Sequence, residues 1–535
     1  MLFLGSSNIE LFDIQRLMPP ELKPKSMKEL IQLVEIISPN KIKQIELVHT
    51  DGEESNNLQK LYRAIAENGA ASEEEIISMF YEGRNKKKYF NRLKRELKER
   101  LINTLFLIDA NDSKYSEVAS AYYQCYKNAA AVKILLARGA RHVAIRLAED
   151  TMKKAELFEF TDILLTLSKD LRFHYGTIIG DRKMFNDYNN KVSLSSEVYL
   201  AELKAEEYYT TLALTFTVSG AAKVEFSKQA ELYAEEMEQI IAKYHSYRLN
   251  LYAFTVIALR YEMANDHENT IATCQRAVTF FESKEHLASR QALFNFFYRM
   301  IPSNILLRRL EEGTNAALQC LQWIDKGLFN WFRTMESLFI LYLHSGKYQE
   351  AYEVYKEVVE EEQFPKQYSS VQELWYINEA YVYYFISAGI IEVGEDDPIK
   401  KFRLSRFLNE VPTFSKDKQG NNITILILQV LFLLLQQQYG KIIDRVESLR
   451  TYTHRYLRRD ETFRSNCFIK MLTVLPAANF NKTAVMRRSK KYWEKLQTVG
   501  IINNQSAELE IIPYETLWQF VLESLGGGGS EGVRE

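Results

Sequence analysis

The sequence is poor in the residues that break helices. It carries 21 glycines and 10 prolines in 535 residues, well below the average shares of about 7% and about 5%. Scarce breakers leave long helical segments that must pack on each other. Cysteine is also sparse. The four thiols, Cys125, Cys274, Cys320 and Cys467, form no CxxC pair and no close Cys/His spacing, which argues against a disulfide framework or a zinc module. A reducing, cytoplasmic compartment is expected, and no cofactor or metal. A dominant charge is missing too: the formal net charge is −2, so no global attraction to nucleic acid or anionic lipid is expected, although local patches stay open. Finally, long apolar runs are lacking. The longest, Ile423 to Leu435, falls short of the roughly 20 residues of a membrane span and contains Thr424 and Gln429. It reads as a fully buried helix. The opening "MLFLGSSNIELFD" has no basic n-region, and its apolar start is shorter than the about 7 to 15 residues of a signal peptide core.

What is present fits a folded soluble protein. Hydrophobic residues make up 46% and charged residues 26%, far from a disordered composition. The 32 tyrosines and 30 phenylalanines read as filler between helices.

Three regions follow, with an appended tail. Residues 1–102 hold a Pro-rich start, "LMPPELKPKS", then short helical runs. One is "NLQKLYRAIAENG"; another has Ser72 ahead of Glu73 to Glu75, an N-cap followed by acids. The long amphipathic run after Gly83 places Phe90, Leu93, Leu97 and Leu101 on one face. Helix, turn, helix and then a basic helix read as a capping subdomain with a solvated basic side, the alternative being a small DNA-binding head. Lys86, Lys87 and Lys88 are its candidate anion or nucleic-acid contacts.

Residues 103–456 repeat one pattern. In "LYLHSGKYQEAYEVYKEVVE", Gly346 marks a turn between two helices, and Tyr348, Ala351 and Tyr355 face one way. Gly139 with Ala144 and Ala148 echoes it. So do Asn265 with Thr270, Cys274 and Ala277, then Ala316 with Cys320, and Tyr439 with Ile442, Val446 and Leu449. A slim residue early in the second helix admits the first helix closely, and a larger one a turn later fills the gap. These residues resemble the tetratricopeptide repeat (TPR), a helix-turn-helix unit of about 34 residues. The best copy, 332–365, matches at Leu338, Tyr342, Gly346, Tyr348, Ala351, Tyr355 and Pro365; it departs at Met335, Phe339 and Val358. The resemblance implies an all-α fold, a right-handed superhelical array of antiparallel helix pairs with helical caps at both ends. It also implies a peptide-binding concave face, for which Tyr261, Arg333 and Tyr342 are the candidate partner-binding residues.

Residues 457–525 form a basic cap containing Arg458, Arg459, Arg487 and Arg488, candidate anion or nucleic-acid contacts. Tyr456, Tyr492 and Trp493 interleave with its cations, a mix suited to phosphate and base stacking or to an acidic protein. Pro513 opens a last helix with Leu517, Phe520 and Val521 on one stripe. The tail 526–535, "GGGGSEGVRE", reads as an engineered flexible linker with a short appended sequence, either a tethered ligand or a cloning remnant.

Catalytic signatures are missing. There is no P-loop, HExxH, GxSxG or kinase set, and the eight histidines are dispersed. His267 and His344 fall at turns, where exposure is expected. Cys274 and Cys320 read as packing residues. The expected function is a non-enzymatic scaffold or adaptor that grips a partner protein or peptide; the alternative is a regulator that binds nucleic acid through its head or its basic cap.

Overall fold

A computed structural model describes residues 30, 31, 33, 34, 53–68, 86–107, 116–218, 223–287, 290–395, 397–409, 421–456, 463–498 and 510–525. Among these the protein is all-helical, with helices packed on their neighbours in sequence. The chain divides into two compact units, the first comprising residues 1–204 with 286–288 and the second the remainder.

The first unit begins with α1 (Glu53–Asn68) and α2 (Lys86–Leu105). Phe90, Leu93, Leu97 and Leu101 are buried against Leu58, Leu61 and Ile65, as the spacing predicts. The expected N-cap at Ser72 and the Pro-rich start lie outside the described residues. Then come α3 (Glu117–Ala137), α4 (Arg141–Leu157) and α5 (Thr161–Phe173). They pack through slim residues, among them Ala121, Cys125 and Ala129 on α3 and Ala144, Ala148 and Ala155 on α4, all buried. A π-helical turn (His174–Ile179) leads to α6 (Arg182–Val218), and the division between units falls inside α6.

In the second unit follow α7 (Lys223–Lys243), α8 (Tyr247–Met263), α9 (His267–Glu282), α10 (Arg290–Leu306), α11 (Leu310–Trp323), α12 (Phe329–His344), α13 (Tyr348–Val359) and α14 (Ser369–Ser387). The short α15 (Leu404–Asn409) precedes α16 (Asn421–Leu435), α17 (Tyr439–Tyr456), α18 (Phe463–Ala477), α19 (Lys482–Thr498) and α20 (Tyr514–Ser524). The first helices of successive pairs start at Tyr247, Arg290, Phe329 and Ser369, an interval of about 40 residues, longer than the about 34 of a TPR unit.

One backbone device recurs at the hairpin turns. A residue in the left-handed region is followed by an amide that bonds back five positions, the Schellman pattern that satisfies free carbonyls at a helix end. Lys347 N reaches Tyr342 O at 2.9 Å after Gly346 (φ 71°), and Asp266 N reaches Tyr261 O at 2.9 Å after Asn265 (φ 55°). The same bond runs from Arg309 to Asn304 and from Gln438 to Leu433, after Arg308 and Gln437, which carry side chains at positive φ. Hairpin geometry is thus kept even where glycine is absent.

The slim inner positions are buried throughout: Thr270, Cys274, Ala277, Ala316, Cys320, Ala351, Ile442, Val446 and Leu449. Residues 425–434 of α16 are likewise buried, as its composition requires. Ion pairs tie alternate helices together. Arg276 of α9 holds Glu238 of α7 through two bonds of 2.8 Å, and Arg299 of α10 holds Glu262 of α8 at 2.8 and 2.9 Å.

Candidate partner-binding site

The residues singled out from the sequence do not converge. Tyr261 lies in the last turn of α8, half-buried, with the Arg260 guanidinium 4.4 Å from its ring centre. Arg333 is half-buried near the start of α12 and paired with Glu336. Tyr342, near the end of the same helix, is half-buried, and burial raises its phenol pKa. Arg333 and Tyr342 stand about two and a half turns apart, so they project from opposite sides of α12. Moreover, α8 is buried without interruption from Leu249 to Leu259, and α12 has no exposed position, only scattered half-buried ones. First helices of this kind offer little free surface. Lys86, Lys87 and Lys88 form the first turn of α2, with side chains outside the described residues; Arg458 and Arg459 also lie outside. Arg487 and Arg488 are exposed on α19 beside Lys482, Lys490 and Lys491.

Two histidine expectations are corrected. His267 is 8% exposed rather than free in its turn, with Nδ1 3.3 Å from Ser303 Oγ. His344 donates from Nε2 to Glu510 O at 2.6 Å, and burial moves its pKa down to about 4. Both sit beneath later helices that local sequence does not reveal. The cysteines are free and buried. Burial pushes the Cys125 thiol up to about 11 and raises Cys274 and Cys320 as well, the opposite of an activated nucleophile. Among the described residues no cluster of three metal-ligating side chains occurs, and no helix is long and apolar enough to cross a membrane.

The most distinctive surface is the α5–α6 tip of the first unit. Its π-helical turn has no buried residue, and such turns recur at functional sites. Phe173, Ile178 and Ile179 are 58%, 52% and 58% exposed. The inner side of the turn is anchored. Tyr175 donates to Glu149 and stacks on Tyr188 with centroids 5.6 Å apart. The bond to Glu149 and burial push its pKa up to about 12.

A cleft of about 680 Å³ opens at this tip, lined by Phe173, Gly176 and Phe185 with Lys169, Arg172 and Arg182 around them. Gly176 lets the Phe185 ring approach closely, because a Cβ there would lie 2.7 Å from Phe185 Cδ2 unless the ring moved. The acids of the cleft are engaged. Asp170 pairs with Lys133 at 2.7 Å, and Asp181 accepts from the amides of Lys183 and Met184 at 2.9 and 3.0 Å, capping α6. Lys169 and Arg182 make no ion pair among the described residues. The result is an apolar floor with a cationic rim, suited to an apolar side chain next to a carboxylate. Sequence reasoning missed it; the signal was "GTIIG", two isoleucines between glycines where a polar turn is usual. No family model, no curated protein and no solved structure matches the chain.

Proposed function

We propose that this chain is a non-enzymatic protein–protein interaction scaffold, and that the helix pairs of its second unit follow a TPR-like, right-handed course. The supporting observation is the α5–α6 tip. Exposed aromatic and aliphatic side chains around a cation-rimmed cleft are the features of a docking surface rather than of a solvated helix end. Its partner is a protein that offers an acidic segment with a large apolar side chain. The packed helix pairs elsewhere supply rigidity, as repeat arrays do. The test is recovery of a stoichiometric partner from lysate at moderate salt by the wild type, compared with Phe173→Asp combined with Ile179→Asp. Loss of the partner with an unchanged helical melting curve supports the reading. Equal recovery by both chains contradicts it.

A second reading rests on α19. Lys482, Arg487, Arg488, Lys490 and Lys491 are all exposed there, which suits a nucleic-acid-binding regulator. Duplex binding that weakens steeply with salt, and loses slope when Arg487 and Arg488 are replaced by Gln, would favour it.

A further inference from the structure

The C-terminal helix α20 follows α19 only after residues 499–513. It then contacts α16 and α18, and reaches α12 through the bond from His344 to Glu510. At one end the anchor is ionic. Arg464 of α18, 1% exposed, binds Glu510 and also Glu515, at 2.9 and 2.7 Å from Nη2 to the two oxygens of the latter. Tyr514 adds a hydroxyl contact of 3.0 Å to Ser465 and stacks on Phe468 at 4.7 Å. At the other end the anchor is aromatic. Phe520 lies among Tyr348, Tyr384 and Phe385, with centroids 6.1, 6.2 and 5.7 Å away. Between them Leu517, Trp518 and Val521 are buried.

This is the chemistry of helix-in-groove recognition: spaced apolar anchors set affinity, and one charged clamp sets register. A helix as short as α20 is marginal in water by itself, so its folding depends on the seat. A buried arginine facing two carboxylates is no more stabilising than a well-packed apolar contact of the same size, so what its charge adds is discrimination against an occupant that lacks the carboxylates. We propose that the seat is a docking site for a short amphipathic helix bearing two carboxylates. Residues 510–525 fill it as an internal ligand, and a partner protein presenting such a helix takes their place. This site is separate from the α5–α6 tip and does not depend on the role assigned there.

The experiment uses the full chain with a protease site inserted between residues 499 and 509. After cleavage, a fluorescein-labelled synthetic peptide of residues 510–525 is added and followed by anisotropy. The labelled peptide is expected to exchange in with one-to-one stoichiometry. The peptide with Glu510→Gln and Glu515→Gln is expected to bind at least about tenfold more weakly, since charge-assisted bonds are the strong ones. With Arg464→Met in the cleaved chain, the preference for the carboxylate peptide should vanish or reverse, because Glu510 would then be buried without its guanidinium. Failure of the labelled peptide to enter, or loss of helical structure on cleavage, would show that α20 is an integral part of the fold. Dimers of the uncleaved chain that trade this segment would replace the partner with a second copy and overturn the proposal as stated. In the uncleaved wild type, hydrogen exchange supplies an independent reading: amides of 514–524 should exchange by local opening, faster than those of α14 and α16. Exchange of all of them only on global unfolding would overturn it.

Discussion

Arg464 meets Glu510 side on, Nε donating to Oε1 at 2.6 Å and Nη2 to Oε2 at 3.1 Å, with both side chains 1% exposed. Burial pushes the Glu510 carboxyl up in pKa, and Arg464 and the Tyr514 amide pull it down. Removing the guanidinium leaves the carboxylate without its main partner. Arg464→Met should therefore cost about 3 to 5 kcal/mol in urea unfolding. Adding Glu510→Gln should recover part of that loss, because the charge left behind is gone. A single-variant loss below about 1 kcal/mol would mean that the ion pair is far weaker than its burial implies.

His344 makes the same junction sensitive to acid. Its folded pKa is about 4 against an ordinary 6.5, lowered first by burial and further by Arg308, while the Glu510 carbonyl and Glu515 act the other way. Between pH 6.5 and about 4 the unfolded chain binds a proton that the folded chain refuses. Stability is lost as pH falls through that window, by about 1.4 kcal/mol per unit, and the loss stops below the folded value. Glu510 has the opposite sign, because its raised pKa lets the folded state take up its proton first. Comparison with His344→Gln, which keeps a donor to the carbonyl, isolates the imidazole. The variant should show a shallower decline of the urea midpoint from pH 7 to 4.5; identical slopes would refute the assignment.

The rungs between alternate helices differ in burial and should differ in worth. Arg299 is 1% exposed where it holds Glu262, and Arg276 is 52% exposed where it holds Glu238. Arg299→Ala empties the buried site of the guanidinium and leaves Glu262, only 18% exposed, without it, and should cost about 3 kcal/mol. Arg276→Ala should cost less than about 1 kcal/mol, and high salt should erase the difference from wild type. Equal losses measured by thermal melting would contradict this ordering.

How much of this was legible depends on distance along the chain. Local spacing identified the α2 face of Phe90, Leu93, Leu97 and Leu101, all buried, because helical periodicity needs no knowledge of the partner. It also located the turns at Gly139, Asn265 and Gly346, which have positive φ. Turns at Glu159, Arg308 and Gln437 share that conformation but carry residues that give no hint of it. The contact from His344 to Glu510 joins residues far apart in sequence, and so does that of Arg464 with Glu515. Each looked like an ordinary surface side chain until the helices were placed. The exposed tip escaped for the converse reason: composition does not separate Phe173, Ile178 and Ile179 from core residues, and only the fold shows them more than half exposed among the described residues.

The scaffold reading is tested most directly by photo-cross-linking in cells. A cross-linking residue replaces Ile179 at the α5–α6 tip, or Leu232 on α7, which is 66% exposed and serves as a control surface. The account predicts one discrete protein adduct from position 179, absent from position 232 and lost when Phe173→Asp is added. Adducts of equal pattern from both positions, or adducts to nucleic acid alone, would contradict it.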